Sequence, residues 1–127
     1  MKMKPALLIA TADASIRSFL TRVLSPSYRV SAFDNGRDVA TAFERQEYAA
    51  AVLNYRLPGL SGPDIVSGLR AAGRQTPVVL ISGSGMSPEA IPGFKTDPGL
   101  AFLAKPFTPR TLLALLTALI DGVPTAE

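Results

Sequence analysis

Residues 49–62 read AAAVLNYRLPGLSG, and the rest of the chain is organised around them. An apolar run, residues 49–53, stops at a polar amide, Asn54, and a turn carrying Pro58, Gly59 and Gly62 follows. A short apolar run bounded by turn residues predicts a buried strand. Asn54 then stands at the carboxyl end of that strand. In an open α/β sheet, that edge is where ligands bind and chemistry takes place.

The same pattern recurs to either side. Residues 6–10 (ALLIA) read as a buried first strand, and residues 11–13 as the turn after it. Ile16, Phe19, Leu20 and Val23 follow at helical spacing, so residues 15–24 form an amphipathic helix that Pro26 ends. Asp13 is placed to cap it, because its side chain can accept from the first free amides. Residues 28–33 predict a second strand and residues 34–36 a turn. Val39, Ala40 and Phe43 make the stripe of a second helix. Pro63 opens a third helix with Ile65, Val66 and Leu69 inward. Residues 77–82 form a fourth strand ending in a hydroxyl, Ser82. Residues 100–104 form a fifth, ending at Lys105-Pro106. Thr108 caps a last helix with Pro109 at its first position. That helix runs to about Ile120, and residues 121–127 are expected to fray.

Strands alternating with helices predict a parallel sheet covered on both faces, joined by right-handed crossovers. Continuous rather than alternating apolar strands support burial on both sides. One segment breaks the pattern. Residues 83–99 contain four glycines and three prolines where a fourth helix belongs. Proline inside a helix costs about 3 kcal/mol, so Pro92 predicts a short or distorted helix there.

The chain has 127 residues, 47% of them hydrophobic and 18% charged. That predicts one domain, with a core over about residues 5–120, and argues against disorder. It contains no cysteine and no histidine. Disulfides, thiolate metal sites and histidine chemistry are thereby excluded. The absence of cysteine fits a cytoplasmic protein. The first apolar run ends by Ala10, too short for a signal core or a membrane span. The net charge of +3 comes from scattered single residues. A nucleic-acid footprint requires clustering, so neither nucleic acid nor membrane is expected as a partner.

Four strand ends thus gather polar groups on one sheet edge: Thr11, Ala12 and Asp13 after the first strand, Asn54 after the third, Ser82 after the fourth and Lys105 after the fifth. Together with the loop at residues 57–62 (LPGLSG) and Lys105-Pro106-Phe107, their order resembles a receiver domain of two-component signalling. The resemblance covers Pro5 to about Ile120. It implies a flavodoxin-like (βα)5 three-layer sandwich with strand order 2-1-3-4-5 and a lysine–proline bond that is usually cis.

The family's chemistry requires an aspartate where this chain has Asn54, because a carboxylate oxygen attacks the phosphoryl group. A neutral amide is a poor nucleophile. The family's acidic pair, which holds Mg²⁺, falls on Thr11 and Ala12, and the adjacent Asp13 is expected to cap rather than to ligate. The resemblance assigns Ser82 to the hydroxyl that contacts the phosphoryl group, Lys105 to the lysine that pairs with the acids, and Phe102 to the aromatic switch. For Ser82 and Phe102, plain hydrogen bonding and packing are the stronger readings. Lys105 is expected to pair with Asp13 or to donate to the Asn54 carbonyl oxygen, because a lone ammonium in a buried cleft is costly.

The expected function is therefore a phosphorylation-independent, receiver-like signalling module. It is not an enzyme, has no cofactor or metal, and works by contact with a histidine kinase, another signalling protein or a second copy. The alternatives are a receiver phosphorylated at a non-standard residue such as Asp13, or a small-ligand-binding flavodoxin-like domain. The turn at residues 11–15 has hydroxyls but no glycine for close approach to phosphate, which weighs against the latter. The last helix is the expected contact surface. Leu115, Leu119, Leu112, Leu116, Ile120 and Leu113 span an arc of about 160°, wider than the 100° or so a one-sided helix needs. Leu113, Leu116 and Ile120 are the candidate interface residues.

Overall fold

The computed structural model describes residues 3–83 and 96–122. Its elements are β1 (Ala6–Ala10), α1 (Ala14–Leu24), β2 (Arg29–Phe33), α2 (Gly36–Arg45), β3 (Ala50–Asn54), α3 (Gly62–Ala71), β4 (Val78–Ser82), β5 (Leu100–Ala104) and α4 (Pro109–Gly122). The strands form one parallel sheet in the order β2-β1-β3-β4-β5. This is the flavodoxin-like arrangement expected from the sequence. The short or distorted fourth helix is expected within residues 83–99, and most of that segment, residues 84–95, lies outside the described residues.

The central strands β1, β3 and β4 are buried on both faces because their runs at residues 6–10, 50–53 and 78–81 carry no polar side chain. Leu8, Ala10, Ala51, Leu53, Val78 and Leu80 pack with α2 and α3 through Val39, Phe43, Ile65, Val66 and Leu69. Leu7, Ile9, Val52, Val79 and Ile81 pack with α1 and α4 through Leu20, Leu24, Leu112 and Leu116. The central strands are accordingly the most buried, β4 throughout. The edge strands β2 and β5 are half-open.

Side chains cap the helices as the turn residues suggest. Asp13 Oδ1 accepts from the Ser15 and Ile16 amides at 2.9 and 3.1 Å. Asn35 and Ser61 cap α2 and α3. Thr108 Oγ1 accepts from the Thr111 amide at 3.1 Å, with Pro109 opening α4. Asp121 and Gly122, expected to fray, continue α4.

The wide apolar arc of α4 is mostly core. Leu112 and Leu116 are fully buried, while Leu113, Leu115, Leu119 and Ile120 pack half-buried beside them. Leu116 is therefore corrected from a candidate interface residue to a core residue. It sits at i+4 from Leu112, in the middle of the arc, where the sheet covers it. Leu113 and Ile120 remain on the flanks.

Candidate functional site

Strand register places the site. Asn54 pairs with Ile81 and Ser82 with Ala104, so β3, β4 and β5 end nearly flush. Backbone bonds extend the alignment past the strands: Tyr55 N–H donates to the Ile81 carbonyl at 2.7 Å, and Lys105 N–H to the Ser82 carbonyl at 2.9 Å. The loop after β3 then folds back tightly. Gly59 takes a positive φ of 86°. Gly62 N–H donates to the Tyr55 carbonyl at 2.9 Å. A Cβ on Gly62 would lie 2.7 Å from Leu80 Cδ2 and 2.9 Å from the Asn54 carbonyl oxygen, so only glycine fits without displacement.

These ends enclose a cleft of about 260 Å³, lined by Asn54, Tyr55, Arg56, Ile81, Ser82, Gly83 and Lys105. Asn54 Nδ2 donates to the Arg56 carbonyl at 2.9 Å. The Ser82 hydroxyl is buried and has no hydrogen-bond partner. Lys105 is half-buried. Among the described residues, the ion pair formed is Arg70–Asp97, at 2.8 Å, on another part of the fold.

The two partners expected for Lys105 are not engaged by it. The Asp13 carboxylate is turned to the α1 amides at an exposed cap. Asn54 donates through Nδ2 to the carbonyl of Arg56, two residues on, and among the described residues no Lys105 bond reaches its side-chain oxygen. The Lys105–Pro106 bond is cis, as the motif implies.

A family profile, the response regulator receiver domain, matches residues 7–117. The chain belongs to the response regulator receiver family. Among its relatives, the sensory/regulatory protein RpfC of Xanthomonas campestris pv. campestris is 33% identical over 118 residues, 89% of this chain and 16% of RpfC. The transcriptional regulatory protein FixJ of Bradyrhizobium diazoefficiens is 27% identical over 129 residues, 100% of this chain and 62% of FixJ. The chain thus spans less than two thirds of either relative. Full-length FixJ from B. japonicum superposes with a TM-score of 0.82 at 26% identity, over 94% of this chain and 59% of FixJ. The receiver domain of sensor histidine kinase PA1611 from Pseudomonas aeruginosa, solved with a magnesium ion coordinated in its active-site cleft, superposes with a TM-score of 0.74 at 25% identity, over 94% and 99% of the two chains.

Receivers are typically non-enzymatic signalling modules of two-component systems that engage histidine kinases and other signalling proteins. In this receiver, Asn54, Ser82 and Lys105 meet in one cleft, whereas Thr11, Ala12 and Asp13 are not in its lining. Thr11 is buried. Its hydroxyl accepts from the Asp13 amide at 3.2 Å, and its carbonyl from Arg17 Nη1 at 2.8 Å. Phe102 is half-buried and packs on the face shared with α2 and α3.

Sequence reasoning missed Tyr55, Arg56 and Gly83 in the lining and Arg17 at the end of β1. Their adjacency to Asn54, Ser82 and Asp13 was the available signal, but the fold of the loops decides which neighbours turn inward. No helix among the described residues is long and apolar enough to cross a membrane.

Proposed function

We propose that this chain is a receiver module that takes no phosphoryl group and signals through protein contact. One observation carries the reading: the side chain at the end of β3, inside the cleft, is the amide of Asn54. Acyl-phosphate formation requires a carboxylate oxygen as nucleophile, and an amide oxygen is neutral. The donor set supports the same conclusion for the metal that accompanies that chemistry. Mg²⁺ is a hard cation usually held by one or two carboxylates, whereas the cleft lining offers none and includes two cations, Arg56 and Lys105. Phosphorylation at Asp13 is disfavoured because its carboxylate is committed to the α1 cap. A nucleotide or flavin is disfavoured by size, since 260 Å³ lies below the 300 Å³ or so at which drug-sized pockets begin.

Contact is assigned to the flank of α4, where half-buried Leu113 and Ile120 adjoin exposed Ala114, Thr117 and Ala118. The partner is a histidine kinase, another signalling protein or a second copy of the chain.

Incubation with acetyl phosphate and Mg²⁺, followed by intact-mass measurement, tests the reading. The expected result is unmodified protein. A stoichiometric gain of one phosphoryl group on protein with Asn54 intact would overturn it. Peptide mapping identifies any fraction in which Asn54 has deamidated to aspartate.

A further inference from the structure

We infer that the cavity between α2 and α3 is a binding site for a small arylalkylamine, a single aromatic ring carrying a short ammonium arm. The cavity shares no lining residue with the cleft at Asn54.

Its shape follows from the two helices. Phe43 of α2 and Ile65 and Leu69 of α3 are buried and form an apolar floor. Ala40 and Glu44 on α2, and Asp64, Gly68 and Ala72 on or just after α3, stand one helical turn apart along the two rims. Gly68 keeps the space open. A Cβ built on it would meet no atom within 4 Å, so no neighbouring atom excludes a side chain there. Glycine inside a helix is nevertheless less stable than alanine. The volume of about 260 Å³ lies below the 300 Å³ or so at which drug-sized pockets begin, which suits one ring and not a fused or nucleotide-sized body.

Charge decides what the ring carries. The chain as a whole is at +3, yet this lining holds two carboxylates, Glu44 and Asp64, against one cation, Arg74. Arg74 is already committed. It donates to the Phe43 and Gln46 carbonyls, and its guanidinium lies 5.6 Å from the Phe43 ring centroid. Both carboxylates are exposed at the rims, and among the described residues neither makes a hydrogen bond or an ion pair. Asp64 has a local reason for its place, because the first turn of α3 favours a negative charge. Glu44 has none. It stands in the last turn of α2, where the helix dipole disfavours an anion. Arg45 of the same turn lines a separate depression together with Asp38. An ammonium at Glu44 forms a charge-assisted bond, while the ring of the same molecule covers the apolar floor. An anionic ligand would meet two like charges, and a neutral one would leave Glu44 unanswered.

Titration of ¹⁵N-labelled protein with phenethylamine, beside phenethyl alcohol and phenylacetate, keeps the ring and varies the charge. The expected result is saturable movement of the Glu44, Leu60, Gly68 and Ala72 amide signals. The amine should bind about three- to fivefold tighter than the alcohol, the factor for one ion pair at an open rim, and phenylacetate should bind weakest. Glu44→Gln keeps the fold, since Glu44 bonds to nothing described within it, and should erase the amine's advantage while leaving the alcohol unchanged. Gly68→Leu puts a side chain into the open space and should abolish binding of both, with the spectrum still dispersed because leucine is the better helix former. The inference is overturned if the amine gives no saturable movement at these amides, or if amine and alcohol bind the parent chain equally. It is equally overturned if the amine's advantage survives Glu44→Gln or if Gly68→Leu binds as the parent does. None of these readings involves Asn54, so they stand apart from the mass measurement of phosphorylation.

Discussion

Replacing Arg70 with Met tests how the α3 end of the fold is tied down. Arg70 lies in the last turn of α3. Its Nε donates to Asp97 Oδ2 at 2.8 Å, and its Nη1 to the carbonyls of Arg74 and Thr76 at 3.0 and 2.8 Å. One guanidinium thus joins α3, the loop before β4 and the segment before β5. The two side chains of the ion pair are 20% and 13% exposed. That places the pair between surface bridges, worth about 0–1 kcal/mol, and buried ones, whose breaking costs about 3–5 kcal/mol. An intermediate value of about 2 kcal/mol is appropriate. Leaving two half-buried carbonyls to water adds about 1 kcal/mol. Removing Arg70 Nη2, which is buried without a partner, returns roughly 1 kcal/mol of desolvation. Methionine keeps most of the apolar stem, so the net loss is about 2 kcal/mol. A domain of this size should melt several degrees lower, roughly 6–10 °C. Urea denaturation measures the loss through the midpoint at unchanged slope. A cycle with Asp97→Asn should show coupling of about 1–3 kcal/mol. A loss below about 0.5 kcal/mol, with no coupling, would show that water replaces the clamp at no cost and would refute the reasoning.

Asp13→Ala should cost about 1 kcal/mol as a lost cap, while Asp13→Asn, an equally good cap, should be nearly neutral; equal losses in thermal melts would contradict the capping role. Burial, with Asp121 adding, pushes the Tyr28 phenol above its ordinary value near 10, and its hydrogen bond with Thr117 opposes the shift. The neutral phenol is therefore favoured in the folded state, and its stabilising contribution is complete below pH 10 or so and is lost as pH rises through the folded-state value. Absorbance titration should show one of the three tyrosines ionising late, and the lag should vanish in Tyr28→Phe. Leu116→Glu buries an unpaired carboxylate at a fully covered position and should unfold the chain, whereas Leu113→Glu should stay folded and lose self-association or partner capture. Unchanged sedimentation and partner binding in Leu113→Glu would reduce the flank of α4 to packing.

Element type and order were legible in the sequence because short-range physics decides them. The uninterrupted apolar runs at residues 6–10, 50–53 and 78–81 can be satisfied only in strands covered on both faces. Asp13 and Thr108 can serve helix amides only a few residues away. The position of Asn54 at a strand end followed from the same run. Tertiary structure alone decided which polar groups share a cleft. Register brought Asn54, Ser82 and Lys105 together, while the α1 cap turned Asp13 away from Lys105. Only tertiary structure joined Arg70 to Asp97, 27 residues apart in the chain, and only the covering sheet separated buried Leu116 from half-open Leu113 within one apolar arc. Periodicity says which residues avoid water. The partner of a long charged side chain depends on which distant backbone arrives beside it, and local sequence carries no information about that.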